Sequence, residues 1–178
     1  MNEFAIDISD RQTCLVVDEP RLRDAVVRVL TEERVHSASI SLALVDDAEI
    51  HRVNHEFLGH DYPTDVISFL LSEEGSPGAG VRMREVDGGD LGMPAPQPST
   101  FNRQPLLEGE LIVSTETALR EAAAHGWSAH DEVLLYVVHG LLHLCGYDDL
   151  TDEARPAMRV REREVLAGWQ LVPSGLEG

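Results

Sequence analysis

Lysine is absent from this chain. All 14 basic side chains of its 178 residues are arginines, set against 32 acids, for a formal net charge of −18. A negative field of that size repels polyanions at a distance, which argues against a broad basic surface for nonspecific nucleic-acid binding. A small, specific contact built on local arginines or a bound cation remains open. Cysteine is nearly absent as well. Cys14 and Cys145 lie far apart, and Cys145 sits inside an apolar helical run, so a disulfide framework is not expected and two buried thiols are. No apolar run is long enough to cross a membrane, and Met1 to Asp10 carries neither a basic start nor an apolar signal core. The expected location is the cytoplasm. With 43% hydrophobic residues, the length suits one domain over residues 1–178 with a real core.

Periodicity supplies the elements. Phe4 to Ser9 alternates as a strand, and Pro20 to Glu33 has apolar residues at helical spacing, with Asp18 as a cap and Pro20 in the first turn. Ser39 to Val45 alternates again, with Ile40, Leu42 and Leu44 on one face. Asp46 to Phe57 reads as a helix opened by two acids, Val66 to Leu71 as a buried strand, and Gly109 to Val113 as another, after which Ser114 opens a helix to about His125. Residues 72–107 hold five of the nine prolines without sustained period, and read as a long irregular insertion between two strands of one sheet. The last helix is expected to begin with Pro156 in its first turn and run through Val165. Were Thr151 its cap, Pro156 would kink it.

The chemistry lies in the helix between. Ser128 and Asp131 make a capping-box-like start, and Val133 to Cys145 is apolar almost all round, which places the helix at the centre of the fold. Within it the stretch HGLLHLCGYDD, His139 to Asp149, sets two imidazoles four residues apart, hence on one helical face. Gly146 permits a sharp turn that can return Asp149, or Asp148, as a third ligand. Three protein ligands and one open position describe a catalytic zinc site. The zinc-peptidase consensus H-E-x-x-H-x-x-G-x-x-H is close, but its glutamate is replaced by Gly140, which cannot be a general base. Gly140 costs roughly 1 kcal/mol in a helix interior, so it is expected to admit a substrate or another backbone. Peptide hydrolysis by the zincin route is disfavoured.

Taken with NHEFLGHDYPTDVISF, Asn54 to Phe69, the motif resembles the YbeY family of bacterial endoribonucleases, also called rRNA maturation factors. That family pairs N-x-x-[FY]-R-x-x-D-x-P-T-D-V-L-S-F with a later H-G-x-L-H-L-x-G-Y-D-H. Asn54, Phe57, Asp61, Pro63, Thr64, Asp65, Val66, Ser68 and Phe69 match the first segment, and His139 through Asp148 match the second. GELIVS at Gly109 to Ser114 is similar to the family's G-D-[IL]-x-[IL] strand. The resemblance implies an α/β (α+β) fold, a small mixed sheet packed by helices around a buried metal-bearing helix. It implies one Zn2+ ion and single-strand-specific endoribonuclease activity on the 3′ end of small-subunit rRNA, in ribosome maturation and quality control. The expected partners are single-stranded rRNA and the small ribosomal subunit, with neither DNA nor membrane.

Two positions depart from the family pattern. The family's third histidine ligand corresponds to Asp149, and the arginine after the aromatic residue corresponds to Leu58. Carboxylate oxygen serves zinc at nearly the bond length of imidazole nitrogen, although the shorter, charged side chain makes a slightly weaker Lewis acid. Leucine can neither position a phosphate nor stabilise its charge. His60 is the nearest candidate to take over as cation or proton donor, with Arg52 and His55 upstream, while Asp61, Thr64 and Asp65 are expected to fix the turn into the strand. The expected metal ligands are therefore His139, His143 and Asp149, with His60 as the catalytic candidate. The rival readings are a zinc hydrolase of peptides or small molecules and a non-catalytic ribosome-assembly factor with a structural metal.

Overall fold

The structure is a computed structural model that describes residues 2–73, 82–85 and 106–173. The elements run β1 (Glu3–Asp10), α1 (Glu19–Glu32), β2 (Ser37–Val45), α2 (Asp47–Val53) continuing into a π turn (Asn54–Leu58), β3 (Val66–Glu73), β4 (Arg82–Glu85), β5 (Leu107–Ser114), α3 (Thr115–His125), α4 (Ala129–Leu144) and α5 (Arg155–Leu166). They form the expected α/β architecture around a mixed five-stranded sheet of order β1-β2-β5-β3-β4. Strands β1, β2 and β5 are parallel, and β3 runs antiparallel to both β5 and β4.

The alternation in β2 sorts its side chains to two faces. Ile40, Leu42 and Leu44 point into the main core with Val66, Leu111 and Val113, beneath α1, α4 and α5. Ala43 and Val45 point the other way, joining Ile67, Phe69 and Ile112 under Ile50 and Val53 of α2. A sheet covered on both faces needs near-continuous apolar strands, which is what β5 supplies in LIVS at its end.

Helix α4 is the centrepiece, as its composition predicts. Its capping box is complete: Ser128 accepts from the Asp131 backbone N–H, and the Asp131 carboxylate accepts from the Ser128 backbone N–H. Two glycines let it lie close on the sheet. A Cβ on Gly109 would come 2.5 Å from a Leu144 methyl, and one on Gly140 would come 2.8 Å from Leu111 Cδ2 and 3.2 Å from Val66 Cγ2. Gly140 therefore accommodates sheet side chains rather than the substrate or backbone expected of it.

Other expectations need amendment. The helix from Asp46 to Phe57 is α-helical only to Val53, then takes one π turn and ends at Gly59 with φ +75°. The proline-rich insertion is partly outside the described residues, at 74–81 and 86–105. Within it, Arg82–Glu85 pairs with Ile67 to Leu70 as an edge strand that no periodicity announced. Pro156 lies in the first turn of α5, and Thr151 holds the turn before it by accepting from the Ala154 N–H. Cys145 is half-buried, and its burial pushes the thiol pKa up to about 12. Cys14 is exposed and not buried as expected, because it lies in the loop after β1, where its backbone N–H donates to Gln12 Oε1. No helix among the described residues is long and apolar enough to cross a membrane.

Candidate metal centre

His139 and His143 leave α4 on the same face, one turn apart, and their Nε2 atoms stand 3.1 Å from each other. The chain then turns at Gly146, whose φ of +100° only glycine adopts without strain, and brings Asp149 back over the helix. Its carboxylate oxygens lie 3.5 Å from His143 Nε2 and 3.7 Å from His139 Nε2. Among the described residues these three form a group whose ligand atoms all lie within 4.8 Å of one another.

The other nitrogen of each ring decides what the facing pair presents. His139 Nδ1 is 3.3 Å from Glu162 Oε2, and His143 Nδ1 is 3.1 Å from the Tyr147 carbonyl oxygen. Both partners are acceptors, so each Nδ1 carries a proton and the two Nε2 atoms are left facing each other. Facing nitrogens 3.1 Å apart share a positive charge, either a proton on one ring donated to the other or a metal ion bound by both. Asp149 Oδ1 adds a third acceptor, buried and, among the described residues, without a hydrogen-bond partner.

These observations fit a metal ion. Ligand atoms bound at 2.0–2.1 Å to a tetrahedral zinc are separated by about 3.3 Å from one another, close to the three separations here. Two imidazoles and a carboxylate form a donor set suited to zinc, and both imidazoles are oriented through their second nitrogen, as metal-bound histidines generally are. The charge is also cation-seeking. Burial lowers the His139 pKa, but the hydrogen bond and charge of Glu162, with the charges of Asp149 and Asp65, outweigh burial and hold it above the ordinary histidine value.

Asp148, the alternative third ligand, is engaged otherwise: its Oδ1 accepts from the Leu150 N–H and closes the turn. Its neighbour thereby points inward.

The upstream motif packs beside α4 through the start of β3. Val66 contacts the helix at Gly140, and Asp65 lies near enough to His139 to raise its pKa. Asp65 Oδ1 accepts from Thr64 Oγ1 and the Val66 N–H, and His51 reaches Asp61 at 2.8 Å, so these residues fix the turn. Asn54, fully buried in the π turn, donates from Nδ2 to the Tyr62 carbonyl.

Leu58 packs against the apolar cluster of Ile50, Val53 and Phe69. His60 stands outside the three-residue group, its ring stacked on Tyr62 with centroids 5.4 Å apart and its backbone N–H donating to the Asn54 carbonyl. Arg52 is exposed and pairs with Glu56, and His55 is exposed.

Glu162 is the residue that the sequence motifs do not single out. A signal was present: in α5 it falls four residues after Met158 and three before Val165, on the stripe that meets the core. An acid on such a stripe needs a partner.

Comparison with known proteins adds an independent line. The model of the family described as Endoribonuclease YbeY matches residues 7–170 of the chain. Endoribonuclease YbeY of Rhodopirellula baltica is 37% identical over 168 residues, 93% of this chain and 70% of that protein. Endoribonuclease YbeY of Pelotomaculum thermopropionicum is 36% identical, again over 168 residues, 92% of this chain and 96% of that protein. A solution structure from Thermotoga maritima shares the fold with a TM-score of 0.51 at 22% identity, covering 94% of this chain and 91% of that one.

Proposed function

The chain belongs to the endoribonuclease YbeY family, and from that membership we propose that it is a metal-dependent endoribonuclease whose ion is zinc held by His139, His143 and Asp149. The observation that carries the metal reading is the convergence of His139 Nε2, His143 Nε2 and an Asp149 carboxylate oxygen within 4.8 Å, that oxygen buried and without a hydrogen-bond partner among the described residues. When bound, such an ion supplies Lewis acidity at a phosphoryl oxygen or a lowered pKa for a water. The remaining work belongs to the chain. Glu162 and the Tyr147 carbonyl hold the two rings in register, and the turn at Gly146 presents Asp149. Among the described residues, His60 is our candidate to supply positive charge or a proton to the phosphate where the family carries arginine.

The substrate in this reading is single-stranded RNA, in particular the 3′ end of small-subunit rRNA, and the setting is ribosome maturation and quality control in the cytoplasm. The three side chains are largely buried, and a single strand bends a phosphate toward such a site more readily than a duplex does. The acidity of the protein favours a short contact dominated by the cation over a long basic groove.

The test offers the zinc-loaded protein single-stranded and duplex RNA carrying the small-subunit 3′ end. Single-stranded RNA is cut, duplex is spared, a chelator stops the reaction, and His143→Ala lowers the rate by about 100-fold or more. Product ends then name the nucleophile: a cyclic or 3′-phosphate implicates the ribose 2′-hydroxyl, a 5′-phosphate water. One observation favours a second reading, a non-catalytic assembly factor with a structural metal, namely the burial of Leu58 against the apolar cluster where the family carries a guanidinium. Stoichiometric zinc and binding to small-subunit components, with the RNA left intact, would put that reading first.

A further inference from the structure

Helix α5 carries no residue of the HGLLHLCGYDD motif, yet it delivers a carboxylate to it. Glu162 is only 7% exposed, and its Oε2 lies 3.3 Å from His139 Nδ1. A carboxylate that far from water is retained only when it is paired. The helix that bears it is pinned on both sides. Met158, Val165 and Leu166 enter the main core, while the adjacent Arg161 reaches across to Glu32 and Glu33 at the end of α1. Arg161 thus docks α5 against α1, and Glu162, the next residue around the helix, meets α4.

We propose that Glu162 is a positioning residue of the metal centre. It accepts the Nδ1 proton of His139, fixes the tautomer that leaves Nε2 free to bind the ion, and adds negative charge that tightens the hold on a cation. This inference rests on the metal reading above. The two histidines are supported unequally: His143 is oriented by the backbone carbonyl of Tyr147, which no substitution removes, whereas His139 depends on a side chain from another helix. Docking of α5 is thereby coupled to metal affinity.

The test uses the full-length protein and Zn2+ alone, with affinity measured by chelator competition at one pH for wild type, Glu162→Ala and Glu162→Gln. Loss of such an outer partner weakens metal binding by about 10–100-fold, and Glu162→Ala is expected in that range. Glu162→Gln keeps an acceptor of the same shape and loses only the charge, so its affinity falls between the two. Nitrogen-15 spectra of the zinc-loaded proteins add a readout that mere stability would not move. His139 keeps the Nδ1–H tautomer in wild type and Glu162→Gln, with the Nδ1 proton signal weakened or exchange-broadened in Glu162→Ala. Should Glu162→Ala fail to fold, the isosteric glutamine variant carries the test by its affinity. Variants that melt earlier yet bind zinc as tightly as wild type would make Glu162 a packing residue and overturn the inference alone. A wild type that binds no zinc would overturn the metal reading, and this inference with it.

Discussion

Two neighbouring regions of this molecule are built to different degrees of completeness. At α4, each imidazole has its Nδ1 satisfied by a defined acceptor, and Asp149 is turned inward while Asp148 closes the turn. In the segment from Asn54 to Asp65 the scaffolding is equally thorough: Asn54 holds the Tyr62 carbonyl, His51 holds Asp61, and Asp65 caps the start of β3. Yet at the position where the family resemblance leads one to expect a guanidinium stands Leu58, partly buried against an apolar cluster. In the proposed reading, the difference makes holding the cation and handling the phosphate separate constructions. One can keep its full geometry while the other keeps its loop and loses its charge.

Three substitutions probe that contrast, in decreasing order of effect. Gly140→Glu attacks the better-built region from behind. It forces a carboxylate between Leu111 and Val66, where a Cβ already meets a methyl at 2.8 Å, and is expected to cost about 3 kcal/mol or more in denaturant unfolding through overpacking and buried charge. A near-neutral effect with new peptide hydrolysis would instead mean that position 140 faces the ion.

Leu58→Arg works on the other region. Exchanging partly buried apolar surface for a guanidinium should lower stability by about 1–2 kcal/mol. It should also tighten single-stranded RNA binding a few-fold by returning a bidentate phosphate donor, read as a fall in KM. An unchanged KM would show that the position does not face the substrate.

Asp47→Asn tests the base on which that region stands. Burial alone would raise the Asp47 pKa, but hydrogen bonds from Ser114, Thr117 and Arg120 together outweigh it and hold the pKa below the usual carboxylate value. A depressed folded-state pKa contributes stability that is present above the unfolded value and lost as pH falls through the folded one. Wild type should therefore exceed the asparagine variant by about 1 kcal/mol at neutral pH, and the two should converge in acid.

The sequence was most readable where one local rule dominated. A capping box and a nearly all-apolar run announced α4, and i, i+4 spacing placed both histidines on one face. Asp149 and Asp148 could not be separated by sequence, because the choice turns on a single hydrogen bond to the Leu150 N–H. The π turn at Asn54–Leu58 was hidden because one extra residue in a turn leaves the apolar spacing almost unchanged. Edge strand β4 was masked by the glycine and proline around it, and Glu162 by its distance in sequence from the motif it serves. Both depend on tertiary pairing, which periodicity does not carry.

The most direct test of the metal centre is zinc content of the purified wild type beside Asp149→Ala and Asp148→Ala. The proposed three-ligand site predicts that wild type and Asp148→Ala hold one ion per chain while Asp149→Ala releases it. Equal retention by both variants, or release by Asp148→Ala alone, would contradict the three-ligand site.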